Sequence, residues 1–347
     1  MKIAIWGSYN HGNYGDDLMA LQFAKALKGM GIDSCIYRLD SYLADKYSVK
    51  TTNSLEELFQ RAKFCIIGGG AVLSDEMAFP DAMENDYREL YIISNKHQCP
   101  VFPISIGGNG QGVNTQLSFQ KQEFLRSQQC KKSTVRLKED IALVNKLGKE
   151  AIYYPDVLLS IQDFWDIDTM PKSSSQLHVG INLSNSSFGR FLAFQISLIA
   201  SIRKDIVFHF IRTHLPNYPS TYEILPSQEL SNIKHHVYTD PISTLSFLKS
   251  LDLVVSCKLH LGLTALAFNV PFYSFGGKGK VKTFMKSIKA DSAIFKRYEI
   301  LKLLNSIASA NNIYKAKDKF DFVVLEQEKK ASLGHIKFLE EIVNQEK

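Results

Sequence analysis

Residues 251–275 read Leu251-Asp252-Leu253-Val254-Val255-Ser256-Cys257-Lys258-Leu259-His260-Leu261-Gly262-Leu263-Thr264-Ala265-Leu266-Ala267-Phe268-Asn269-Val270-Pro271-Phe272-Tyr273-Ser274-Phe275. The run 251–257 has the length and apolar content of a buried strand, Leu261 to Asn269 reads as a helix, and 270–275 returns to strand. Strand, helix and strand in that order imply parallel pairing, and strands buried on both faces carry continuous apolar runs of this kind. Ligands of open α/β sheets bind outside the carboxyl ends of strands, and Lys258-Leu259-His260 falls at such an end. Residues two apart on an extended segment point the same way. The spacing therefore predicts that Lys258 and His260 face one crevice, a fixed cation beside the side chain that exchanges protons near neutral pH. That pair suits an anionic substrate needing acid–base help.

Outward from this unit the same pattern repeats. His178 to Leu183, Ile206 to Ile211 and His236 to Tyr238 read as further strands with helical segments between most of them. Earlier in the chain, Lys2 to Gly7, Ser34 to Leu39, Phe64 to Ile67 and Val101 to Ile106 read as strands, with helices expected over Asp16 to Gly29 and Ser54 to Ala62. Thr134-Val135-Arg136, a helix over Lys138 to Leu147 and Ala151 to Tyr154 complete that half, and Met170-Pro171-Lys172-Ser173-Ser174-Ser175 reads as a linker. The expected fold is α/β, with two Rossmann-like domains facing a cleft, over 1–170 and 176–312, and a helical tail over 313–347. The last helices are candidates to cross back.

Composition permits a full core and does not single out a ligand class. The chain has 347 residues, 45% of them hydrophobic, and a formal charge of +6 without one dominant basic block. That balance is compatible with an anionic ligand or membrane surface, scattered surface lysine being the simpler explanation. Met1 to Gly7 reads as a buried strand rather than a secretory signal, and no apolar run approaches the ~18 residues of a spanning helix. Cys35, Cys65, Cys99, Cys130 and Cys257 are odd in number and widely spaced, without a zinc pattern, which points to a reduced, cytoplasmic setting with no metal. No nucleic-acid partner is expected.

Three other segments carry candidate chemistry. Gly7-Ser8-Tyr9-Asn10-His11-Gly12-Asn13-Tyr14-Gly15-Asp16-Asp17 leads from a strand into a helix, where backbone N–H groups can meet an anion, although Asp16 and Asp17 already supply negative charge there. Its spacing is neither the dinucleotide fingerprint nor a phosphate loop with its lysine. Gly68-Gly69-Gly70, within Ile66 to Asp75, is either a cleft wall or a structural turn, and Gly107-Gly108-Asn109-Gly110 makes the same claim more weakly. Arg136 sits at a strand-to-helix junction, where it can hold a carboxylate or phosphate in bidentate fashion or pair with Glu139, Asp140 or Asp156. His209 and His214 lack metal-ligand spacing and read as structural, while Lys278, Lys280 and Lys282 form either a phosphate-receiving run or a solvated face.

In this order, Gly12-Asn13-Tyr14-Gly15-Asp16, Gly68-Gly69-Gly70 with Leu73, Val135-Arg136, Pro155-Asp156, Ser256-Cys257-Lys258-Leu259-His260 with Ala265, Asn269-Val270-Pro271 and Lys278 resemble the polysaccharide pyruvyl transferase family. The match spans most of Gly7 to Lys282. The resemblance implies a GT-B-like fold and transfer of a pyruvyl group from phosphoenolpyruvate, as co-substrate without a further cofactor, to a sugar of a cell-surface polysaccharide or its lipid-linked precursor. It implies a cytoplasmic enzyme, with peripheral contact at the inner face of the membrane as one expectation. His260 carries over as the proton-transfer residue, and Arg136 as a donor-holding arginine; Lys258 stands where the family usually has arginine. Asn13, Tyr14, Asp16, Gly69, Gly70 and Lys278 are the remaining candidate binding residues. Two alternatives share the expected architecture: a GT-B glycosyltransferase using a nucleotide sugar, and a noncatalytic glycan-binding relative.

Overall fold

The computed structural model describes residues 1–74, 80–172, 175–216, 223–226 and 230–346, with the backbone alone at 80–83. Asp75 of the glycine segment and Ser173 and Ser174 of the expected linker lie outside the described residues. The chain divides into two compact units, the first Met1–Gly12, Asp16–Ser160 and Lys329–Lys347, the second Asn13–Gly15 with Ile161–Glu328.

The first unit is built on β1 (Lys2–Trp6), β2 (Asp33–Tyr37), β3 (Lys50–Thr52), β4 (Ala62–Gly68) and β5 (Val101–Ile104), a parallel sheet in the order β3-β2-β1-β4-β5. Its helices are α1 (Tyr14–Gly29), whose first two residues group with the second unit, α2 (Ser41–Tyr47), α3 (Leu55–Phe59), α4 (Pro80–Lys96), α5 (Phe119–Arg126) and α6 (Asp140–Lys146). β6 (Ser133–Val135) and β7 (Ala151–Tyr153) form a parallel pair, linked to the β5 region by single parallel bridges at Val101–Cys130 and Ile106–Val135. The core packs Ala4, Trp6, Cys65, Ile67, Leu90 and Phe124, the apolar runs that mark β1 and β4 in the sequence.

The second unit repeats the plan with β8 (Leu177–Asn182), β9 (Ile206–Arg212), β10 (Ile233–Val237), β11 (Leu253–Ser256), β12 (Phe272–Phe275) and β13 (Ile294–Phe295), all parallel, in the order β10-β9-β8-β11-β12-β13. Around it run α7 (Ser187–Ile202), α8 (Pro241–Lys249), α9 (Leu259–Ala267), α10 (Gly279–Ser287), α11 (Ile300–Ile307) and α12 (Ala310–Tyr314). α13 (Phe322–Ser332) begins in this unit, whereas α14 (Gly334–Glu346) groups with the first, where His335 Nδ1 meets Thr134 Oγ1 at 2.7 Å. In each sheet the strand order reverses beside the unit's first strand, between β1 and β4 and between β8 and β11. These are the switch points at which open α/β sheets bind ligands.

Several local readings differ from the sequence expectation. α9 starts at Leu259, two residues earlier than expected, because Ser256 Oγ accepts the Lys258 N–H at 2.8 Å and closes the turn that starts the helix. Lys258 is therefore the extended cap and His260 already helical, so the strand rule for residues two apart does not govern this pair. β10 covers 233–237 rather than 236–238; Lys234, His235 and Val237 are exposed on this edge strand, so its apolar signal is faint. Ala62 belongs to β4, not to the preceding helix. β3, with the sequence Lys-Thr-Thr, has no apolar run to announce it.

A chain of histidines crosses the second sheet. His178 Nδ1 lies 2.8 Å from His209 Nε2, and His209 Nδ1 lies 2.8 Å from His236 Nε2. Burial, then the neighbouring rings, push His209 down to about 3; burial and then His235 push His236 down to about 4; burial pushes His335 in the first unit down to about 3. The unfolded chain takes up protons near pH 6.5 that these folded sites refuse until about 3–4, so stability falls as pH drops below 6.5. Asp140, pushed up to about 6 by burial, acts in the opposite sense and offsets part of this. Melting temperatures at pH 7.5 and 5.0 should show a marked decline at the lower pH, and His209→Phe should reduce it; an equal decline in the variant would remove His209 from the cause.

Candidate active site at the second switch point

At the β8/β11 switch point the strand ends are tied together. Asn182, the last residue of β8, accepts a hydrogen bond at Oδ1 from the hydroxyl of Ser256, the last residue of β11, at 3.0 Å. The Asn182 amide donates to Ile211 O at 2.9 Å and to Glu223 Oε1 at 2.7 Å. Glu223, with a fully buried side chain, also accepts the Thr213 N–H at 3.0 Å, the Thr213 hydroxyl at 2.7 Å and His214 Nδ1 at 3.2 Å. Burial raises its pKa, but the His214 bond, the Lys258 charge and the Thr213 donors outweigh that and bring it down to about 2. A carboxylate thus stays ionised in the interior beside Lys258.

Against this framework sits the turn that begins α1. Tyr14 N–H donates to Thr213 O at 2.9 Å, Asn13 Nδ2 lies 3.4 Å from His214 Nε2, and Asn13 Oδ1 accepts the Gly15 N–H at 3.0 Å. The buried Tyr14 hydroxyl donates to Thr264 Oγ1 at 2.9 Å, and the Thr264 hydroxyl donates to His260 O at 2.8 Å, fastening this turn to α9 across 250 positions of sequence. Any Cβ at Gly15 would overlap the His260 imidazole. Glycine is required here by the approach of that ring rather than by its backbone angles.

His260 and Lys258, both half-buried, flank the start of α9, which no side chain caps among the described residues. The first-turn N–H groups and the Lys258 ammonium give this end a positive field suited to an anion. Lys278, exposed, holds the equivalent cap position of α10. A cavity of about 390 Å³ lined by Gln162, Trp165, Asp166, Lys249 and Phe268 shares no residue with this cluster.

The other candidates take different places. The polar groups of Asn13 and Tyr14 are engaged by His214, Gly15 and Thr264, so both residues hold the turn in place. In the first unit, Arg136 is buried in an ion pair with Asp156 at 2.9 Å, its side chain 1% exposed, and lies along Gly107, so it is not presented to a donor; of the pairings weighed above, Asp156 is realised. Asp16 lies in the first turn of α1 beside Asp17, where both complement the helix end. The glycines of the first switch point make room for side chains. The buried Tyr9 hydroxyl donates to Gly68 O at 2.8 Å, and a Cβ at Gly7 or Gly68 would collide with Tyr9. Gly69, at φ +83, abuts Met19, while Gly70, at φ +90, opens onto free space.

Glu223, Asn182 and Thr213 are polar members not singled out in the sequence, where His214 reads only as structural. Glu223 stands alone in a polar stretch, and its burial and its link to Asn182 across 41 positions carry no local signal. Gly15→Ala should keep the fold, since alanine favours helix, yet displace the His260 ring and lower turnover by ~10-fold or more. Unchanged turnover with a stable fold would show that the ring position is not needed.

The family model described as polysaccharide pyruvyl transferase matches residues 13–279. No curated protein matches the sequence significantly. Among solved structures, MnaA of S. aureus, in a co-structure with UDP, is 10% identical at a TM-score of 0.62, covering 98% of this chain and 96% of its own. UDP-GlcNAc 2-epimerase of Neisseria meningitidis, bound to UDP-GlcNAc, is 9% identical at a TM-score of 0.57 over 99% and 100% of the two chains. The spinosyn forosaminyltransferase SpnP is 10% identical at a TM-score of 0.55, again over 99% and 100%. These likenesses establish the fold, the α/β arrangement of GT-B glycosyltransferases and epimerases.

Proposed function

This chain belongs to the polysaccharide pyruvyl transferase family and is a transferase, and on that premise we propose that it transfers the pyruvyl group of phosphoenolpyruvate to a sugar of a surface polysaccharide or its lipid-linked precursor, forming a ketal. What supports this reading is the meeting of two family segments in one unit: the Asn13-Tyr14-Gly15 turn closes onto His260, with Lys258 at the cap of the same helix. Phosphoenolpyruvate brings a carboxylate and a phosphate, and the start of α9 offers a cation, helix N–H groups and an imidazole.

The chemistry needs a proton delivered to the donor methylene, which becomes the methyl group. One sugar hydroxyl bonds to the adjacent carbon, and a second displaces phosphate from it. The two hydroxyl protons balance the one taken up by carbon and the one leaving with phosphate. His260 is assigned a proton transfer in this sequence, and Lys258 the charge of the donor. Lysine in place of the family's arginine gives a point charge without the planar fork. Lys258→Ala should raise the Michaelis constant for phosphoenolpyruvate by ~10-fold or more with a smaller change in kcat, and Lys258→Arg should retain or improve binding. An unchanged constant in Lys258→Ala would place the donor elsewhere.

A further inference from the structure

α7 departs from the pattern of a surface helix. One side is buried through Leu192, Ala193, Ile196 and Ala200, as expected. The other side carries Phe188, Phe191, Phe194, Leu198 and Ile202, at helical spacing, each between 43% and 78% exposed. The helix contains no acidic residue, and Arg190 is its one charged side chain. A helix apolar all round is stable at a surface only when something covers its outer face.

Charge around this face selects the cover. α11 packs against α7, and Arg203 Nη1, just after α7, donates to Ala308 O, just after α11, at 2.6 Å. α11 belongs to residues 278–319, which hold eleven lysines and arginines against three acidic residues. Lys296, Arg297 and Lys302 are exposed there, with Tyr298 at 76% and Leu301 at 79% exposure. A symmetric dimer places the same patch against itself, so these cations would oppose one another. An anionic lipid surface instead accepts aromatic and aliphatic side chains at the acyl boundary and lysines at the headgroups. No helix among the described residues is long and apolar enough to cross a membrane, so the contact would lie in the plane of the surface.

We propose that the outer face of α7, with the basic segment around α11, docks on an anionic phospholipid bilayer. A lipid-linked acceptor would give this docking its purpose, and that clause alone rests on the proposed function; binding is read without turnover.

The test is flotation of the full chain with vesicles of phosphatidylglycerol and phosphatidylcholine in equal parts, against phosphatidylcholine alone, at low and high salt. The wild-type chain should float with the anionic vesicles and be released by salt. The triple variant Phe191→Ser, Phe194→Ser, Leu198→Ser should lose ~10-fold or more of this binding. The pair Lys296→Glu, Arg297→Glu, which leaves α7 intact, should lose it as well and serves if the triple variant does not fold. Absence of binding to anionic vesicles, or binding undiminished in folded variants, overturns the proposal. So does sedimentation showing a dimer that the triple variant dissociates, which would make a second copy of the chain the cover.

Discussion

His260→Ala should lower pyruvyl transfer by ~10²–10⁴-fold while leaving the melting transition almost unchanged, the range typical of removing one acid–base group. The ring is half-buried against the Gly15 backbone, so its removal opens space beside that turn. The backbone carbonyl that accepts the Thr264 hydroxyl remains in place in the variant. The loss should appear in kcat more than in the Michaelis constant, because a proton transfer acts on the transition state. If the folded variant turns over like the wild type, His260 has no part in the chemistry, whatever its place beside Lys258.

Glu223→Ala should have the largest effect on stability, about 3–5 kcal/mol, the range for breaking a buried charged network by removing one partner. The substitution strands one N–H of the Asn182 amide, the other still donating to Ile211 O, together with the Thr213 N–H and hydroxyl and His214 Nδ1, and leaves the Lys258 charge without its buried counterpart. Glu223→Gln keeps the shape and should cost less, since its amide can still accept from some of these donors. Hydrogen exchange along β8, β9 and the start of α9 should localise the loss to the second unit. A loss below 1 kcal/mol in Glu223→Ala would mean that the network does not hold the switch point together.

Legibility followed burial. β1, β4, β8, β11 and β12 are central or fully covered strands, and their continuous apolar runs announced them and the parallel arrangement. β3 and β10 lie at sheet edges, where exposed residues dilute the run, so one went unread and the other was misplaced. His260 and Lys258 were legible as a pair at a strand end, but the helix start between them was not, because it depends on the Ser256 hydroxyl closing a turn. Arg136 shows the converse limit. Its residue type suits a donor, and only the geometry reveals that Asp156 holds it in the interior. The glycine runs were ambiguous for the same reason: Tyr9 and Met19, which fill the space over Gly68 and Gly69, are remote from them in sequence.

The proposed pyruvyl transfer, with its donor held at the start of α9, is tested by incubating the full chain with phosphoenolpyruvate and a panel of lipid-linked and free saccharides, and following inorganic phosphate release together with the mass of each saccharide. One acceptor should gain the mass of a pyruvyl ketal, with phosphate released in equal amount and both signals lost in His260→Ala. Nucleotide released from a nucleotide sugar, with phosphoenolpyruvate left intact, would contradict it.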